Sequence, residues 1–578
     1  MIRAALATLL ATGSLCAQAP ATDARNIDIP HTDFHFSMPK YTSVAQWEAH
    51  KAQLKRQILV AAGLYPLPEK TPLHPLIEGR VEHGDYSIEK VALETLPGYY
   101  LGGNLYRPLH PKGKVPAILT PHGHWTYGRL ENSEGYSGPA LGINLARQGY
   151  VAFAYDMAGY NDTLQTEHRF SSPTYELWSF TPLGLQLWNS IRALDFVESL
   201  PEVDGQRLAV TGASGGGTQT FLLAAVDNRV RAAAPVNMVS FIMQGGCECE
   251  NAPGLRIGTS NVEIAAMMAP RPLLLVSATG DWTRNVPREE YPAVRSIYQL
   301  YQQPDSVQVV QFHAEHNYNR KSREAVYTFF RNQLVGPASG PVEERSVEVE
   351  PLLDMLMWQG RNLPANAVNQ RQLFEQWKTS GRARAAALDP AARRDLMLAV
   401  FHAEWPRDVR SESAGDGVAM SRPGRGDRVP GVWVPGSGPP TLVVDPDGAE
   451  AARRNPRVAG LIKAGKPVLI IDVFQSGKAA APRNPQLKFH LTFNASDDAN
   501  RVQDILTALR YLDSRHAGKP TLLAIGRAGA WALYAKALAP IDVALQADAG
   551  ACPSRDEDFV KNLFVPGVQL VAEPCAKQ

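Results

Sequence analysis

Apolar positions in this chain change their period twice. Between Ser43 and Gly63 they recur at helical spacing. Trp47, Leu54 and Ile58 share one face, Ser43 and Gln46 have capping-box spacing, and Gly63 with Pro66 ends the pattern, which predicts a helix over residues 43–62. Two strand-like runs follow, Ile88–Leu93 and Tyr99–Tyr106, broken by Pro97-Gly98. From Val115 onward the pattern becomes short, wholly apolar runs alternating with amphipathic stretches. Ala117–Thr120, Val151–Tyr155, Leu208–Thr211, Ala232–Val236, Leu273–Ser277 and Val307–Phe312 read as strands, and Leu185–Glu198 and Gly217–Val226 as helices. Strands apolar on both faces and separated by helices are what a mostly parallel sheet covered on both sides requires, so the predicted class is α/β.

The breaker cluster Gly336-Pro337-Ala338-Ser339-Gly340-Pro341 directly follows a helical stretch, Arg323–Leu334, and reads as a linker over 336–341. Beyond it the same rhythm returns in degraded form. Leu145–Asp156 (LARQGYVAFAYD) aligns without a gap on Leu461–Asp472 (LIKAGKPVLIID). At nearly the same offset, Pro121-His122-Gly123 meets Pro446-Asp447-Gly448, and Gly212-Ala213-Ser214-Gly215 meets Gly526-Arg527-Ala528-Gly529. An internal duplication is expected, with a second α/β domain over 342–578.

Charge and composition narrow the function classes. The chain has 58 Lys+Arg against 57 Asp+Glu, a net charge of +1, so nothing in the overall balance drives binding to nucleic acid or an anionic membrane. A charged fraction of 20% beside 44% hydrophobic residues is that of a globular chain, not a disordered one. Apart from the N-terminus, no apolar run approaches the roughly 18 residues of a membrane span. Met1-Ile2-Arg3, the apolar stretch Ala4–Cys16 and the small-x-small Ala17-Gln18-Ala19 read as a signal peptide over 1–19, placing the protein in the periplasm or outside the cell. Of the remaining cysteines, Cys552 and Cys575 flank a C-terminal loop and are able to pair in an oxidising compartment. Cys247 and Cys249 are too close for a relaxed bridge, and this C-x-C lacks matching histidines nearby in sequence, a weak zinc signal.

The motif that carries chemistry is Gly212-Ala213-Ser214-Gly215-Gly216. A G-x-S-x-G is weak alone, but here a predicted strand precedes it and a predicted helix follows. A serine on so sharp a turn tolerates only small neighbours and presents its hydroxyl at a helix N-terminus, where developing negative charge is favoured. Its hydroxyl needs a base, and the base an orienting carboxylate, in the chain order Ser, acid, His. Asp281 follows the strand Leu273–Ser277, at the sheet edge where open α/β sheets hold their sites. His316 follows the strand Val307–Phe312. The predicted triad is therefore Ser214, Asp281 and His316, with His313 as rival base and Glu248 and Glu250 as rival acids. The oxyanion donors are expected to be the amides of Gly215 and His124, with Gly123 permitting close approach. His122 and His124 as zinc ligands with the distant cysteines is the alternative use of that loop. Asp156 is read as structural. The aromatic residues Trp125, Tyr160, Trp178 and Trp282 crowd these loops and suit sugar rings. Such a mechanism calls for no cofactor and no metal.

These residues resemble the α/β-hydrolase superfamily, and within it the acetyl xylan esterase and cephalosporin-C deacetylase-like bacterial hydrolases related to dienelactone hydrolases. The resemblance covers about residues 40–335 and includes the His122-Gly123 loop, the Ser214 elbow, Pro201-Glu202-Val203-Asp204 before its strand and Val226-Asp227-Asn228-Arg229-Val230 after its helix. It implies an α/β-hydrolase domain over 111–335 preceded by a helix-and-strand extension over 20–110. It further implies a serine esterase acting on a small-molecule or oligosaccharide ester. His122-Gly123-His124 stands where acetyl xylan esterases carry His-Gly-Tyr, and Gly215 where they carry glutamine, so the acyl group and sugar stay open. The Gly-Cys-Ser-Arg elbow of the related glucuronoyl esterases is absent. The second half resembles the same fold with Ala528 at the serine position and Asp447 in place of the histidine. A non-catalytic carbohydrate-binding protein and a serine peptidase on the same fold are the alternatives.

Overall fold

Alternating apolar runs build two sheets in the computed structural model, which describes residues 22–516, 518–548, 550 and 552–576. The expected signal peptide, 1–19, lies outside the described residues. The first sheet has nine strands: β1 (Leu76–Glu82), β2 (Tyr86–Leu96), β3 (Tyr99–Pro108), β4 (Val115–Leu119), β5 (Val151–Tyr155), β6 (Val203–Ala213), β7 (Val230–Val236), β8 (Leu273–Ala278) and β9 (Val307–Phe312). Their order is β1-β2-β3-β5-β4-β6-β7-β8-β9. The first three strands pair antiparallel and the rest run parallel. β4 to β8 are buried along their whole length, except for the outer end of β6 and Arg231 on β7, as helices on both faces demand. The expected helix is α1 (Val44–Ala61), capped by the Ser43 hydroxyl, which accepts from the Gln46 N–H. Crossover helices α2 (Gly138–Arg147), α3 (Pro182–Ser199) and α4 (Gly215–Val226) cover the sheet, and α5 (Arg320–Phe330) returns after β9. β1 has no counterpart among the expected strands: it is a polar, solvent-facing edge, so no apolar alternation announces it.

The second sheet runs β10 (Arg410–Ala414), β11 (Gly417–Ser421), β12 (Val429–Val434), β13 (Thr441–Val444), β14 (Val468–Ile471), β15 (Thr521–Ala524) and β16 (Ala544–Ala547), in the order β10-β11-β12-β14-β13-β15-β16. Its core β12-β14-β13-β15-β16 reproduces β3-β5-β4-β6-β7 strand for strand, with the same antiparallel first pair and parallel remainder. Among the described residues nothing follows β16 to match β8 and β9.

After the glycine- and proline-rich turn the chain doubles back over the first domain. Arg323 Nη2 donates to Glu344 Oε1 at 2.7 Å, Asn104 Nδ2 to the Met355 carbonyl at 3.0 Å, and the Trp358 N–H to Asp162 Oδ1 at 3.0 Å. Glycine and proline there mark a reversal of direction, and breaker residues alone do not reveal what the next segment packs on. The two halves share a continuous apolar contact through Trp47, Trp178, Phe180 and Trp377. Near the other end, a disulfide joins Cys552 to Cys575.

Candidate active site

Ser214, Asp281 and His316 all follow strands at the C-terminal edge of the first sheet, after β6, β8 and β9. β6 ends at Ala213 and α4 begins at Gly215, leaving Ser214 as the single residue that turns the chain. It does so at φ +58° and ψ −125°, a conformation few side-chain-bearing residues adopt. Close approach explains the glycines around it. A Cβ on Gly212 would lie 2.3 Å, and one on Gly216 2.2 Å, from the Pro121 carbonyl oxygen. The Gly215 N–H lies in the first turn of α4, where no helical carbonyl precedes it to accept its hydrogen bond.

His316 Nδ1 is 2.8 Å from Asp281 Oδ2, and Asp281 is buried. The other carboxylate oxygen, Oδ1, accepts from the Thr283 N–H at 2.7 Å and from the Thr283 hydroxyl at 2.5 Å, so the carboxylate is fixed in orientation. His316 Nε2 is buried with no protein partner among the described residues. Its loop is anchored on both sides: Asn237 Nδ2 donates to the Asn317 carbonyl at 2.9 Å, and the Tyr318 N–H to the Gly135 carbonyl at 2.7 Å. The imidazole lies between two indoles, Trp282 at 4.4 Å and Trp125 at 6.1 Å between ring centroids. Trp125 and the elbow both flank Gly123: a Cβ there would sit 3.4 Å from Trp125 Nε1 and 2.9 Å from Ser214 Cβ.

The rivals lie elsewhere. His313 is exposed and pairs with Thr279 at 3.0 Å. Glu250 spends its carboxylate on the N–H groups of Gly246 and Cys247 and on the Thr218 hydroxyl. Glu248 sits on the same short turn, its carboxyl pushed up by burial. Asp156 pairs with the buried Arg129 and accepts from Asn161 and the Asp162 N–H, fixing the turn beside the site. Burial pushes its carboxyl up to about 6.

The 122–125 loop is set by His122, which is fully buried. Its Nδ1–H donates to the Gly123 carbonyl at 2.7 Å and its Nε2 accepts from the Met157 N–H at 3.0 Å. Burial holds it neutral, with its pKa lowered to about 3, and with both nitrogens engaged it is no metal ligand. His124 comes next and lies against the elbow: a Cβ on Gly215 would be 3.0 Å from its Cε1. Tyr160 stands edge-on to His122 and His168, at 5.0 and 4.9 Å. Trp178 is not at the site. It is buried between the halves, its Nε1 donating to Asp556 Oδ2 at 3.1 Å and the Arg382 guanidinium covering its ring at 4.4 Å, so it offers no face to a sugar.

The alternative use of the 122–124 loop with the cysteines holds for His124 but not for His122, and the second histidine, His168, escaped the sequence reading. His124, His168, Cys247 and Cys249 bring four potential ligand atoms within 4.8 Å of one another. His124 Nε2 is 3.1 Å from Cys249 Sγ, and His168 Nε2 is 3.5 Å from Cys247 Sγ. The C-x-C was visible in sequence, but its histidines come from loops after β4 and β5. Hydrogen bonding from Cys249 drives the Cys247 thiol far down against its burial, helped by His124 and His168.

A cleft of about 590 Å³ opens between the halves, lined by Phe170, Glu176 and Glu248 from the first and by Arg483, Phe489 and Arg527 among others from the second. By sheet register Ala528 corresponds to Ser214, yet the positive-φ turn falls on Gly526 and Ala528 is buried in the first turn of a helix, Ala528–Leu538. No helix among the described residues is long and apolar enough to cross a membrane.

Residues 86–243 match the acetyl xylan esterase family model. YtaP of Bacillus subtilis (strain 168), which carries the name of a hydrolase, is 26% identical over 260 residues, 41% of this chain and 83% of its own. Among solved structures, methylesterase BT1017 is 30% identical, covering 62% of this chain and 77% of that one with a TM-score of 0.49. A glucuronoyl esterase from Solibacter usitatus is 17% identical, covering 55% and 99% with a TM-score of 0.41. The sheet order, the elbow and the acetyl xylan esterase match over residues 86–243 together place the chain in the α/β-hydrolase superfamily, as a carboxylic ester hydrolase.

Proposed function

We propose that the protein is an exported serine esterase that removes acyl groups, or closely related ester groups, from carbohydrate. Ser214 attacks the ester carbonyl while His316 Nε2 takes its proton. Asp281 holds the imidazole in the tautomer that leaves Nε2 free and stabilises the imidazolium that forms. The Gly215 and His124 amides receive the oxyanion, the alcohol leaves with the proton from His316, and water activated by the same nitrogen releases the acid. The observation that carries this reading is the His316 imidazole, with Nδ1 bound to a buried carboxylate and Nε2 buried without a partner among the described residues, at the same sheet edge as a serine held at φ +58°.

The substrate class rests on the esterase family match and on the half-buried aromatic rings of Trp125, Tyr160 and Trp282. Export rests on the N-terminal 1–19 segment and on the Cys552–Cys575 bond, which persists in an oxidising compartment. The second half, with alanine at the nucleophile position and no strand after β16 among the described residues to carry a base, is assigned no hydrolysis. Its part is to wall the cleft between the halves. A fluorophosphonate probe tests the chemistry: wild type takes up one label, Ser214→Ala takes up none, and hydrolysis of p-nitrophenyl acetate and of acetylated or uronate-esterified oligosaccharides disappears with the label. Wild-type protein that is folded yet unlabelled refutes the proposal.

A further inference from the structure

Beside the elbow lie four side chains that the esterase mechanism does not use as acids, bases or nucleophiles. We propose that His124, His168, Cys247 and Cys249 bind one zinc ion, which ties three loops of the sheet edge together.

The argument begins with distances. Tetrahedral zinc with bonds of about 2.0–2.1 Å to nitrogen and 2.3 Å to sulfur separates its ligand atoms by about 3.3–3.8 Å. The observed pairs are 3.1 Å (His124 Nε2 to Cys249 Sγ) and 3.5 Å (His168 Nε2 to Cys247 Sγ), and all four atoms fall within 4.8 Å. Closing the shell requires shifts of a few tenths of an ångström for these pairs. Donor type selects the ion: two thiolates and two imidazoles suit zinc and exclude magnesium and calcium, which take oxygen.

Orientation is already set. His168 Nδ1–H donates to the Ala158 carbonyl at 2.8 Å, which fixes the tautomer and leaves the Nε2 lone pair facing the cysteines. The cysteine turn is held rigid from behind. Glu250 Oε2 accepts from the Gly246 and Cys247 N–H groups, and Asn251 Nδ2 donates to the Cys247 carbonyl at 2.9 Å. Both cysteines are buried, and their two-residue spacing disfavours a relaxed disulfide. Four protein ligands close a tetrahedral shell, leaving no position for substrate, so the ion acts as a structural clamp. Binding releases the thiol protons, and no oxidant or reductant is involved.

What the clamp holds follows from chain position. His124 comes from the loop after β4, His168 from the long connection after β5, and the cysteines from the loop after β7; Gly215 of the elbow lies against the His124 ring. Zinc therefore immobilises the segment expected to supply the second oxyanion donor. This positioning consequence rests on the esterase reading, whereas metal binding does not.

The test uses full-length protein, stripped with a chelator under reducing conditions and titrated with Co²⁺. One equivalent binds, giving thiolate-to-cobalt charge-transfer absorption and the intense visible bands of tetrahedral cobalt, and Zn²⁺ displaces it. Cys249→Ser loses the charge-transfer intensity expected from that thiolate, and His168→Ala weakens Co²⁺ binding by about 100-fold or more. Zinc content of the untreated protein, read by native mass spectrometry against Cys249→Ser, gives the same answer should the stripped chain unfold. An octahedral cobalt spectrum, an unchanged spectrum in both variants, or a metal-free protein with Cys247 and Cys249 joined as a disulfide overturns the site. Fluorophosphonate labelling of Ser214 is read separately: labelling that slows on metal removal supports the clamp, and wild type that binds cobalt but never labels refutes the esterase reading alone.

Discussion

Replacing Asp281 with asparagine alters one atom and, by the geometry, inverts the proton inventory of the neighbouring histidine. Oδ1 of Asp281 accepts from both the Thr283 N–H and the Thr283 hydroxyl, and that hydroxyl oxygen in turn accepts from the Ala278 N–H. The asparagine oxygen must take the Oδ1 position. Turning the amide round would set its N–H₂ against two donors and leave them unsatisfied, at about 1–3 kcal/mol for each buried group. The N–H₂ then faces His316 Nδ1, which has to become the acceptor, so the imidazole proton moves to Nε2, the nitrogen meant to deprotonate Ser214. A triad with this substitution loses about 10⁴ in kcat, equivalent to about 5.5 kcal/mol of transition-state stabilisation. The assay is steady-state hydrolysis of p-nitrophenyl acetate, with circular dichroism and the thermal midpoint as controls for folding. Asp281→Asn is expected to lower kcat by about that factor, leave KM within a few-fold and keep the midpoint close to wild type. A folded variant within about tenfold of wild-type kcat would refute the tautomer argument and the assignment of Asp281 with it.

Three further outcomes are expected. Gly123→Ala places a Cβ 2.6 Å from the Ala213 carbonyl oxygen and 2.9 Å from Ser214 Cβ; the loop must retreat from the elbow, and kcat falls by about 10²–10³, the cost of losing an oxyanion donor, while unchanged kinetics would show that the loop is not part of the site. His122 is held neutral with its pKa lowered to about 3 from an ordinary 6.5, so the stability it contributes is complete above pH 6.5 and is lost as the pH falls toward 3. Thermal midpoints measured from pH 7 to 5 should drop in wild type at a slope of order 1.4 kcal/mol per pH unit from this residue, and His122→Gln, though less stable at pH 7, should show a shallower slope. The Cys552–Cys575 bond closes a loop spanning 23 residues, so Cys552→Ser is expected to cost about 3 kcal/mol in the second domain, read as a lower denaturant midpoint that added reductant no longer shifts.

The sequence by itself determined the elements whose physics is local. β5, Val151–Tyr155, lies where its apolar run puts it, because a strand buried on both faces has to be apolar throughout. The elbow was legible because a serine at φ +58° tolerates only glycine-sized neighbours, which leaves a mark in the sequence. The pairing of His316 with Asp281 was legible because a parallel sheet delivers the ends of its strands to one edge in a fixed order. Tertiary structure alone decided the rest. Trp178 has the same chemistry as Trp282, and only the approach of the second half buries it. The turn at 336–341 marks a change of direction, and what residues 342–369 pack against depends on surfaces far away in sequence. His168 joins His124 and the two cysteines only because three separate crossovers return to the same rim. Local periodicity encodes which face of an element is dry; it holds no information on which distant loops meet, since that depends on packing between elements that no short window contains.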